Sequence, residues 1–287
     1  MWRAVLSLSA SQKNQGFILS MLTIDVENIT LAYGNNEVVR NISFCMLPGE
    51  MVGLVGPNGS GKSTIIKSLS RILMPVRGHI LANGADIARI GRRDLAKLIS
   101  VVPQTPWLPS AYTAFEIVLM GRNPHLGTFQ YESDRDLSIA WQAMVRAGVQ
   151  QFAERRISEL SGGEIQSVLI ARALAQETEG ILLDEPTANL DIGRQIEVLD
   201  LIKEECHQRN LTVIAAIHDL NLAAHYCEKL VLIKQGEVYA FGTPREVITS
   251  GNICHVYGPD SYVHDHPLTG LPAVPPRVGN TRDNNCR

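Results

Sequence analysis

The sequence predicts an α/β fold with a mixed or parallel core sheet, an N-terminal antiparallel β subdomain and an inserted helical subdomain. Three observations support this prediction. Apolar and polar residues alternate in the first strand patterns of the chain. Further on, short apolar runs alternate with helical patterns, which is typical of a parallel sheet covered on both faces. Between about 112 and 178 the spacing of apolar residues is helical.

The composition allows about two compact units at most and excludes several classes of protein. Of the 287 residues 45% are hydrophobic and 19% are charged, so wholesale disorder is excluded. The net charge of −3 provides no overall positive field, and no nucleic-acid partner is expected. The five cysteines lack Cys-x-x-Cys spacing, which argues against a structural zinc site and against a disulfide framework. No apolar stretch is long enough to span a bilayer.

The N-terminal antiparallel piece is predicted from residues 22–26 and 42–46, where apolar and polar side chains alternate. Residues 1–20 carry no such pattern and are expected to form a disordered extension. Met21 stands directly before the first strand and is a candidate for the true first residue. The main domain is therefore expected over residues 21–258.

The core sheet is predicted from short apolar runs separated by helical patterns. The runs cover 51–55, 99–102, 181–183, 211–217 and 229–233. A helix is predicted over 65–73, and a crossover helix over 192–202. The proline-rich segment 259–287 is expected to be an extended tail.

Residues 56–64 fit the pattern G-x-x-x-x-G-K-[ST] of a P-loop, between the strand and the helix that this motif requires. Its glycines let backbone N–H groups converge on an anion, and the helix start adds its dipole. Lys62 is predicted to reach the β- and γ-phosphates of ATP, and Ser63 to ligate Mg²⁺. The predicted nucleotide-binding residues here are Gly56, Pro57, Asn58, Gly59, Ser60, Gly61, Lys62, Ser63 and Thr64. The core is thus predicted to be a P-loop NTPase.

Polar residues follow three further apolar strands. Asp184 and Glu185 end the strand at 181–183, where Asp184 can hold Mg²⁺ and Glu185 can polarise the attacking water. Gln104 and His218 follow two other strands. Because ligands of open α/β sheets bind at the carboxyl ends of the strands, these four side chains are expected to share one edge with the P-loop.

A second anion-binding surface is predicted at residues 161–164. Ser161 is a suitable N-cap, and Gly162 and Gly163 expose N–H groups at the start of a helix, where Glu164 follows. The alternative to an anion-binding site is a capped helix that follows a loop and binds no ligand. A symmetric dimer would explain two phosphate cradles in one chain, because each copy could close over the nucleotide of the other.

These elements together resemble the ATPase subunit of an ATP-binding cassette (ABC) transporter over residues 22–258. The resemblance rests on the P-loop, the Gln104 loop, the signature Leu160-Ser161-Gly162-Gly163-Glu164, the Asp184-Glu185 strand end, the Ala188-Asn189-Leu190-Asp191 loop and His218. It also assigns adenine stacking to Tyr33 and places Asp191 at the nucleotide. One departure is Ser167, where the family commonly has arginine, and this puts contacts at the helix surface in doubt.

The resemblance implies a mechanism and a set of partners. Glu185, His218, Gln104 and Lys62 are the implied catalytic residues, and Ser63, Gln104 and Asp184 the implied Mg²⁺ residues. Two copies would close head-to-tail on two ATP molecules. Closure would drive a membrane permease, served indirectly by an external substrate-binding protein, with this chain at the cytoplasmic face of the membrane.

The segment 121–127 and the tail motifs Val256-Tyr257-Gly258 and 266–272 resemble importers of iron–siderophore chelates, haem or cobalamin. Other interpretations stay open at this point: an ABC subunit for another solute, or a soluble cassette ATPase acting on DNA or ribosomes. A P-loop kinase would have no use for the 161–164 segment, and Glu185 disfavours a non-enzymatic binding module.

Overall fold

The computed structural model describes residues 21–104, 108–127, 129–188, 190–259 and 262–275. The expected extension over 1–20 lies outside these residues. The α/β prediction is confirmed: one six-stranded, mostly parallel sheet lies beside a four-stranded antiparallel sheet, and helices cover them. Within the described ranges, no helix combines the length and the apolar character needed to cross a membrane.

The antiparallel sheet is formed by the N-terminal part of the chain. Its strands are β1 (Ile24–Tyr33), β2 (Asn36–Met46), β4 (Arg77–Ala82) and β5 (Ala85–Asp86), in the order β2-β1-β4-β5. The strands β4 and β5 were missed by the sequence reasoning. Only Ile80 and Ala82 are buried in β4, and Gly78 interrupts its pattern at φ +79°.

The six-stranded sheet carries the site. Its strands are β3 (Met51–Val55), β6 (Ile99–Val102), β7 (Gly180–Asp184), β8 (Thr212–Ala216), β9 (Lys229–Lys234) and β10 (Glu237–Gly242). The order is β10-β9-β3-β8-β7-β6, with β10 antiparallel at the edge and the rest parallel. The loops after β3, β6, β7 and β8 therefore leave from the same edge of the sheet.

Nine helices accompany the sheets in the described residues. They are α1 (Lys62–Leu69), α2 (Arg92–Leu98), α3 (Ala114–Leu119), α4 (Asp134–Arg146), α5 (Gly162–Ala175), α6 (Ile192–Arg209), α7 (Leu220–Tyr226), α8 (Pro244–Val247) and α9 (Ser250–Tyr257). Helices α3, α4 and α5 pack on one another and lie in the segment predicted as a helical subdomain.

Two hydrophobic clusters lie on opposite faces of the main sheet. In β7, Leu182 belongs to the cluster shared with the antiparallel sheet, while Ile181 and Leu183 belong to the cluster shared with α5 and α6. Alternate strand residues point to opposite faces, so a strand covered on both sides is apolar throughout. This is why the core strands read as continuous apolar runs in the sequence.

The end of the chain differs from the expected extended tail. Residues 262–275 contain two short paired strands, β11 (His264–Asp265) and β12 (Pro272–Ala273), which pack against α7. Of the cysteines, Cys45, Cys206 and Cys227 are free thiols, and Cys206 and Cys227 are buried.

Candidate functional site

The P-loop curls between the end of β3 and the start of α1. Gly56, Gly59 and Gly61 all have positive φ, at +149°, +76° and +108°. At Gly56 a Cβ atom would lie 2.2 Å from the carbonyl oxygen of Ile233 in β9. The backbone therefore approaches its neighbour more closely than any residue with a side chain allows, and its N–H groups can face a common centre.

Lys62 lies in the floor of this loop and is only 4% exposed. Its Nζ donates hydrogen bonds to the carbonyl oxygens of Gly56 at 2.8 Å and Pro57 at 3.0 Å. Burial lowers the pKa of the ammonium, while the nearby carboxylates of Glu185 and Asp184 act to raise it. A desolvated cation held by neutral carbonyls is well placed to bind an anion such as a phosphate.

Ser63 and Asp184 form an oxygen-rich corner beside Lys62. The Ser63 hydroxyl donates to Oδ1 of Asp184 at 2.8 Å. Burial raises the pKa of Asp184, and the hydrogen bond from Ser63 opposes that rise. Hydroxyl and carboxylate oxygens suit Mg²⁺, which commonly takes one or two protein ligands together with substrate phosphates and water. The described residues contain no group of three or more His, Cys, Asp or Glu side chains that could hold a metal ion.

Glu185 is the centre of a three-residue arrangement. Its Oε2 accepts a hydrogen bond from Nε2 of Gln104, and its Oε1 pairs with Nε2 of His218. The Glu185 backbone has φ +53°, in the left-handed region that only glycine adopts readily. Such strain is typical of functional sites, and here it directs the carboxylate out of the strand end towards two neighbouring loops.

A cavity of about 250 Å³ connects these groups. It is lined by Asn58, Gly59, Lys62, Ser63, Gln104, Glu185 and His218. The structure thus brings together predicted residues from four separate strand ends, and Asp184 joins them through Ser63. Of the remaining predicted residues, Ser60 and Thr64 are buried in the loop and α1, and the Ser60 hydroxyl has no hydrogen-bond partner in the described structure.

Tyr33 does not line the cavity. It lies at the end of β1 with its side chain 48% exposed, and Nζ of Lys67 is 6.0 Å from the centre of its ring. An exposed aromatic face beside a cation offers a stacking surface for a flat ring.

The 161–164 segment also lies outside the cavity. The Ser161 hydroxyl donates to Oε2 of Glu164 at 2.8 Å, and the same oxygen accepts the Ser161 N–H at 2.7 Å. These hydrogen bonds lower the pKa of Glu164 and form a capping box at the start of α5. Glu164 therefore caps its own helix, and its predicted place at the nucleotide stays a prediction. Gly162 and Gly163 lie in the first turn, whose N–H groups have no acceptor within the helix.

Ser167, the departure named above, is buried, and its hydroxyl donates to the carbonyl oxygen of Gly163 at 3.2 Å. The effect of this departure on contacts at the helix surface stays a prediction. The neighbouring Gln166 is also buried, and its Nε2 has no partner in the described part of the chain.

Asp191 serves as the N-cap of α6, since its Oδ1 accepts the Arg194 N–H at 3.0 Å. Its predicted contact with nucleotide stays a prediction. Asn189 of the same predicted loop lies outside the described residues.

The segment 121–127 is used mainly inside the helical subdomain. Arg122 is buried and pairs with Asp136 at 3.0 Å and Glu177 at 2.9 Å. Burial acts to raise the pKa of Asp136, but hydrogen bonds from Ser133 and the Arg122 guanidinium lower it to about 2. His125 is hydrogen-bonded to the carbonyl oxygen of Gln176 at 2.8 Å. Arg122 thus joins this segment to α4 through Asp136 and to the residue just after α5 through Glu177.

A larger groove of about 750 Å³ was not predicted. It lies between α2 and α5, and its walls include Ile72, Leu95, Met120, Asn123 and Pro124. Three arginines also line it, Arg71, Arg92 and Arg172, but no acidic residue does. Burial lowers the pKa of the Arg172 guanidinium. No short sequence motif marks this groove, because its walls come from four separate segments.

Comparison with known proteins places the chain in a family. The ABC transporter family profile matches residues 39–188. An ABC transporter ATP-binding protein of Methanocaldococcus jannaschii is 41% identical over 90% of this chain and 99% of its own length. An iron(3+)-hydroxamate import ATP-binding protein of Bacillus subtilis is 38% identical over 88% and 94%. A cobalamin import ATP-binding protein of Halobacterium salinarum is 38% identical over 91% of this chain and 65% of its own length.

Solved structures agree with these relatives. A metal-chelate type ABC transporter in an inward-facing conformation has a TM-score of 0.77 at 30% identity, covering 90% of this chain and 98% of the other. A dimeric ATP-binding cassette in a post-hydrolysis state, bound to ADP and phosphate, has a TM-score of 0.69 at 28% identity, covering 77% and 98%. The chain belongs to the ABC transporter family and is an ATP-binding ATPase subunit of that family.

Proposed function

We propose that this chain energises an importer that carries an iron chelate, haem or cobalamin through a membrane permease. The ATPase activity is supported by one observation. A single cavity is lined by Lys62, Ser63, Glu185 and His218. The import part is supported by the relatives named for iron(3+)-hydroxamate and cobalamin import and by the metal-chelate type neighbour.

Binding of the triphosphate depends on the P-loop. Its N–H groups and the Lys62 ammonium take up phosphate oxygens in place of the carbonyls that Lys62 now contacts. Ser63 and Asp184 would hold Mg²⁺ together with the phosphates, with Gln104 beside them. Bound Mg²⁺ would supply positive charge that stabilises the charge of the phosphates.

Hydrolysis depends on Glu185 and His218. A carboxylate has about four lone-pair positions, so Glu185 can still accept a proton while paired with Gln104 and His218. The oxygen of a water molecule attacks the γ-phosphorus, Glu185 takes the proton, and the bond between γ-phosphorus and the bridging oxygen breaks. That bridging oxygen remains on ADP. His218 donates a hydrogen bond to the γ-phosphate.

A second copy of the chain completes each site. The cavity of one chain contains no residue of the 161–164 segment, and the first-turn amides of Gly162 and Gly163 have no acceptor within their helix. A head-to-tail dimer places these amides over the triphosphate in the other copy, and the dimeric cassette bound to ADP and phosphate supports this arrangement. Asp191 lies in the loop that such a dimer brings near the nucleotide.

The permease docks in the groove beside α2 and α5, which places the chain at the cytoplasmic face of the membrane. The lining of the groove contains apolar residues and three arginines but no carboxylate. It therefore fits an apolar permease segment that presents an acidic side chain to Arg172. An external substrate-binding protein delivers the cargo to the permease.

The groove is tested by Ile72→Asp, which places a charge on an exposed groove residue. We expect loss of permease capture with ATP affinity unchanged. Leu268→Asp, a substitution of an exposed residue outside the groove, is the matched control and should retain the permease. Equal capture by both variants would contradict the docking site.

The import function is tested on the assembled transporter. Detergent extraction of this chain should recover a polytopic permease, and the ATPase rate should rise with a binding protein loaded with ferric chelate, haem or cobalamin. Recovery of a homodimer without a permease, stimulated by DNA or ribosomes, would favour a soluble cassette ATPase. Stimulation by another loaded binding protein would assign another solute.

A further inference from the structure

The segment 262–275 is an ordered hairpin rather than a loose tail. His266 organises its turn: its N–H donates to the carbonyl oxygen of Leu271 at 2.8 Å, and its carbonyl oxygen accepts the Gly270 N–H at 2.8 Å. Its Nδ1 accepts the N–H groups of Leu268 and Thr269 at 3.3 and 3.4 Å. The hairpin therefore holds its shape through its own backbone.

The hairpin is fixed to the body of the protein. Val263 and Val274 pack against the larger hydrophobic cluster. The Arg245 guanidinium at α8 donates to the carbonyl oxygen of Gly270 and lies 3.7 Å from Asp265. Apolar packing and these polar contacts place the second strand of the hairpin alongside α7.

Asn221 joins the hairpin to α7 through two hydrogen bonds. Its Oδ1 accepts the Val274 N–H at 2.8 Å, and its Nδ2 donates to the Val274 carbonyl oxygen at 3.3 Å. Both backbone groups of one residue are thus held by one side chain. Among the residues that the structure describes, these two hydrogen bonds are the side-chain hydrogen bonds from the first turn of α7 to a residue of the hairpin.

That first turn begins directly after His218. Asp219 caps α7 by accepting the N–H groups of Asn221 at 2.7 Å and Leu222 at 3.2 Å. The far end of α7 is held separately, where the Tyr226 hydroxyl donates to Asp200 at 2.8 Å. The near end of α7 is held by its buried Leu220, which belongs to the larger hydrophobic cluster, and by the hydrogen bonds of Asn221 to the hairpin.

We propose that Asn221, by binding Val274 of the hairpin, is a positioning residue that holds the start of α7 and thereby sets the placement of His218 against Glu185. This inference rests on the role proposed above for His218. It gives the C-terminal hairpin a function in ATP hydrolysis that does not depend on the transported cargo.

The test compares Asn221→Ala with Asn252→Ala in steady-state ATPase assays of the full-length chain. Asn252 is a matched control because its Nδ2 also donates to backbone carbonyl oxygens, at 2.9 Å to Val247, but it lies in α9. We expect Asn221→Ala to lower kcat roughly 10- to 100-fold with KM for ATP within about twofold, since small displacements of reacting groups cost this much. The control should stay near the wild-type rate.

A double-mutant cycle distinguishes a specific effect of Asn221 on the position of His218 from a general destabilisation of the protein. In a His218→Ala background, Asn221→Ala should cause no further loss, because the group that it positions is gone. Equal fractional losses in both backgrounds, or no difference from the Asn252 control, would overturn the inference. If His218→Ala itself hydrolyses ATP normally, the proposed role of His218 fails instead.

Arg245→Ala provides a second route to the same question, because it releases the hairpin at α8 without altering α7. It should lower kcat in the same direction and by a smaller factor, again only when His218 is present. A folded Arg245→Ala protein with a wild-type kcat would contradict a role for the hairpin.

Discussion

The carboxylate of Glu185 and the imidazole of His218 are paired by a hydrogen bond across the carboxyl edge of the main sheet. Glu185 follows β7 and His218 follows β8, so two adjacent parallel strands deliver them. Because β8 also lies beside β3, the same edge carries the P-loop. The sheet order therefore places a proton acceptor and a hydrogen-bond donor together beside the phosphate cradle.

Glu185→Gln should retain ATP binding but lose turnover. The amide keeps the size of the side chain but cannot accept a proton from water, so kcat should fall by about 100-fold or more. Equilibrium ATP binding and steady-state hydrolysis measure the two effects separately. Near-normal hydrolysis would discard Glu185 as the base.

Lys62→Ala should weaken nucleotide binding itself. Loss of a charge-assisted contact in a buried site should raise the Kd for ATP about 10- to 100-fold. Lys97→Ala, at the end of α2, is the control, and its Kd should match the wild type. A Lys62→Ala protein that binds ATP as tightly as this control would show that the ammonium does not contact the phosphates.

Ser63→Ala should change the magnesium dependence of hydrolysis. Removal of the hydroxyl takes away one ligand and frees Asp184 from its 2.8 Å partner. The Mg²⁺ concentration for half-maximal activity should rise at least roughly tenfold. Ser70→Ala, just after α1, keeps the P-loop intact and should leave the Mg²⁺ titration unchanged. Coincident titrations of the two variants would contradict a Mg²⁺ ligand at Ser63.

Asp136→Asn should destabilise the helical subdomain in a pH-dependent manner. The folded protein lowers the pKa of Asp136 from 3.8 to about 2, so its stabilisation is present above the unfolded pKa and is lost as pH falls towards 2. Near pH 7 the variant should lose about 2 kcal/mol of unfolding free energy. Urea denaturation at several pH values measures this, and the difference in unfolding free energy between variant and wild type should already be smaller at about pH 3 than at pH 7. Asp134→Asn, an exposed neighbour, should show no such trend.

The sequence allowed the core of the fold and the cavity to be predicted for identifiable physical reasons. Strands such as β7 and β8 are apolar on both faces, so they were visible as short continuous runs. Gln104, Glu185 and His218 each follow such a strand, and the rule that strand ends share an edge brought them together. The strand β4 was missed because one of its faces is polar and Gly78 resembles a helix stop.

Other features depend on contacts that a local pattern does not record. Arginine is a residue type that is mostly exposed, yet Arg122 is buried and pairs with Asp136 and Glu177 in the interior. The prolines of the last segment predict an extended tail, whereas residues 262–275 form a hairpin that distant residues such as Asn221 and Arg245 hold in place. Such pairs join distant parts of the chain and appear only once the fold is known.

The central claim is that each hydrolytic site is shared between two copies, and subunit complementation tests it most directly. Lys62→Ala and Ser161→Arg each inactivate both sites of a homodimer. In a mixed dimer, one site combines an intact Lys62 with an intact Ser161, so an equal mixture should recover about a quarter of the wild-type rate. A mixture that stays as inactive as either variant alone, although mixed dimers form, would contradict a shared site.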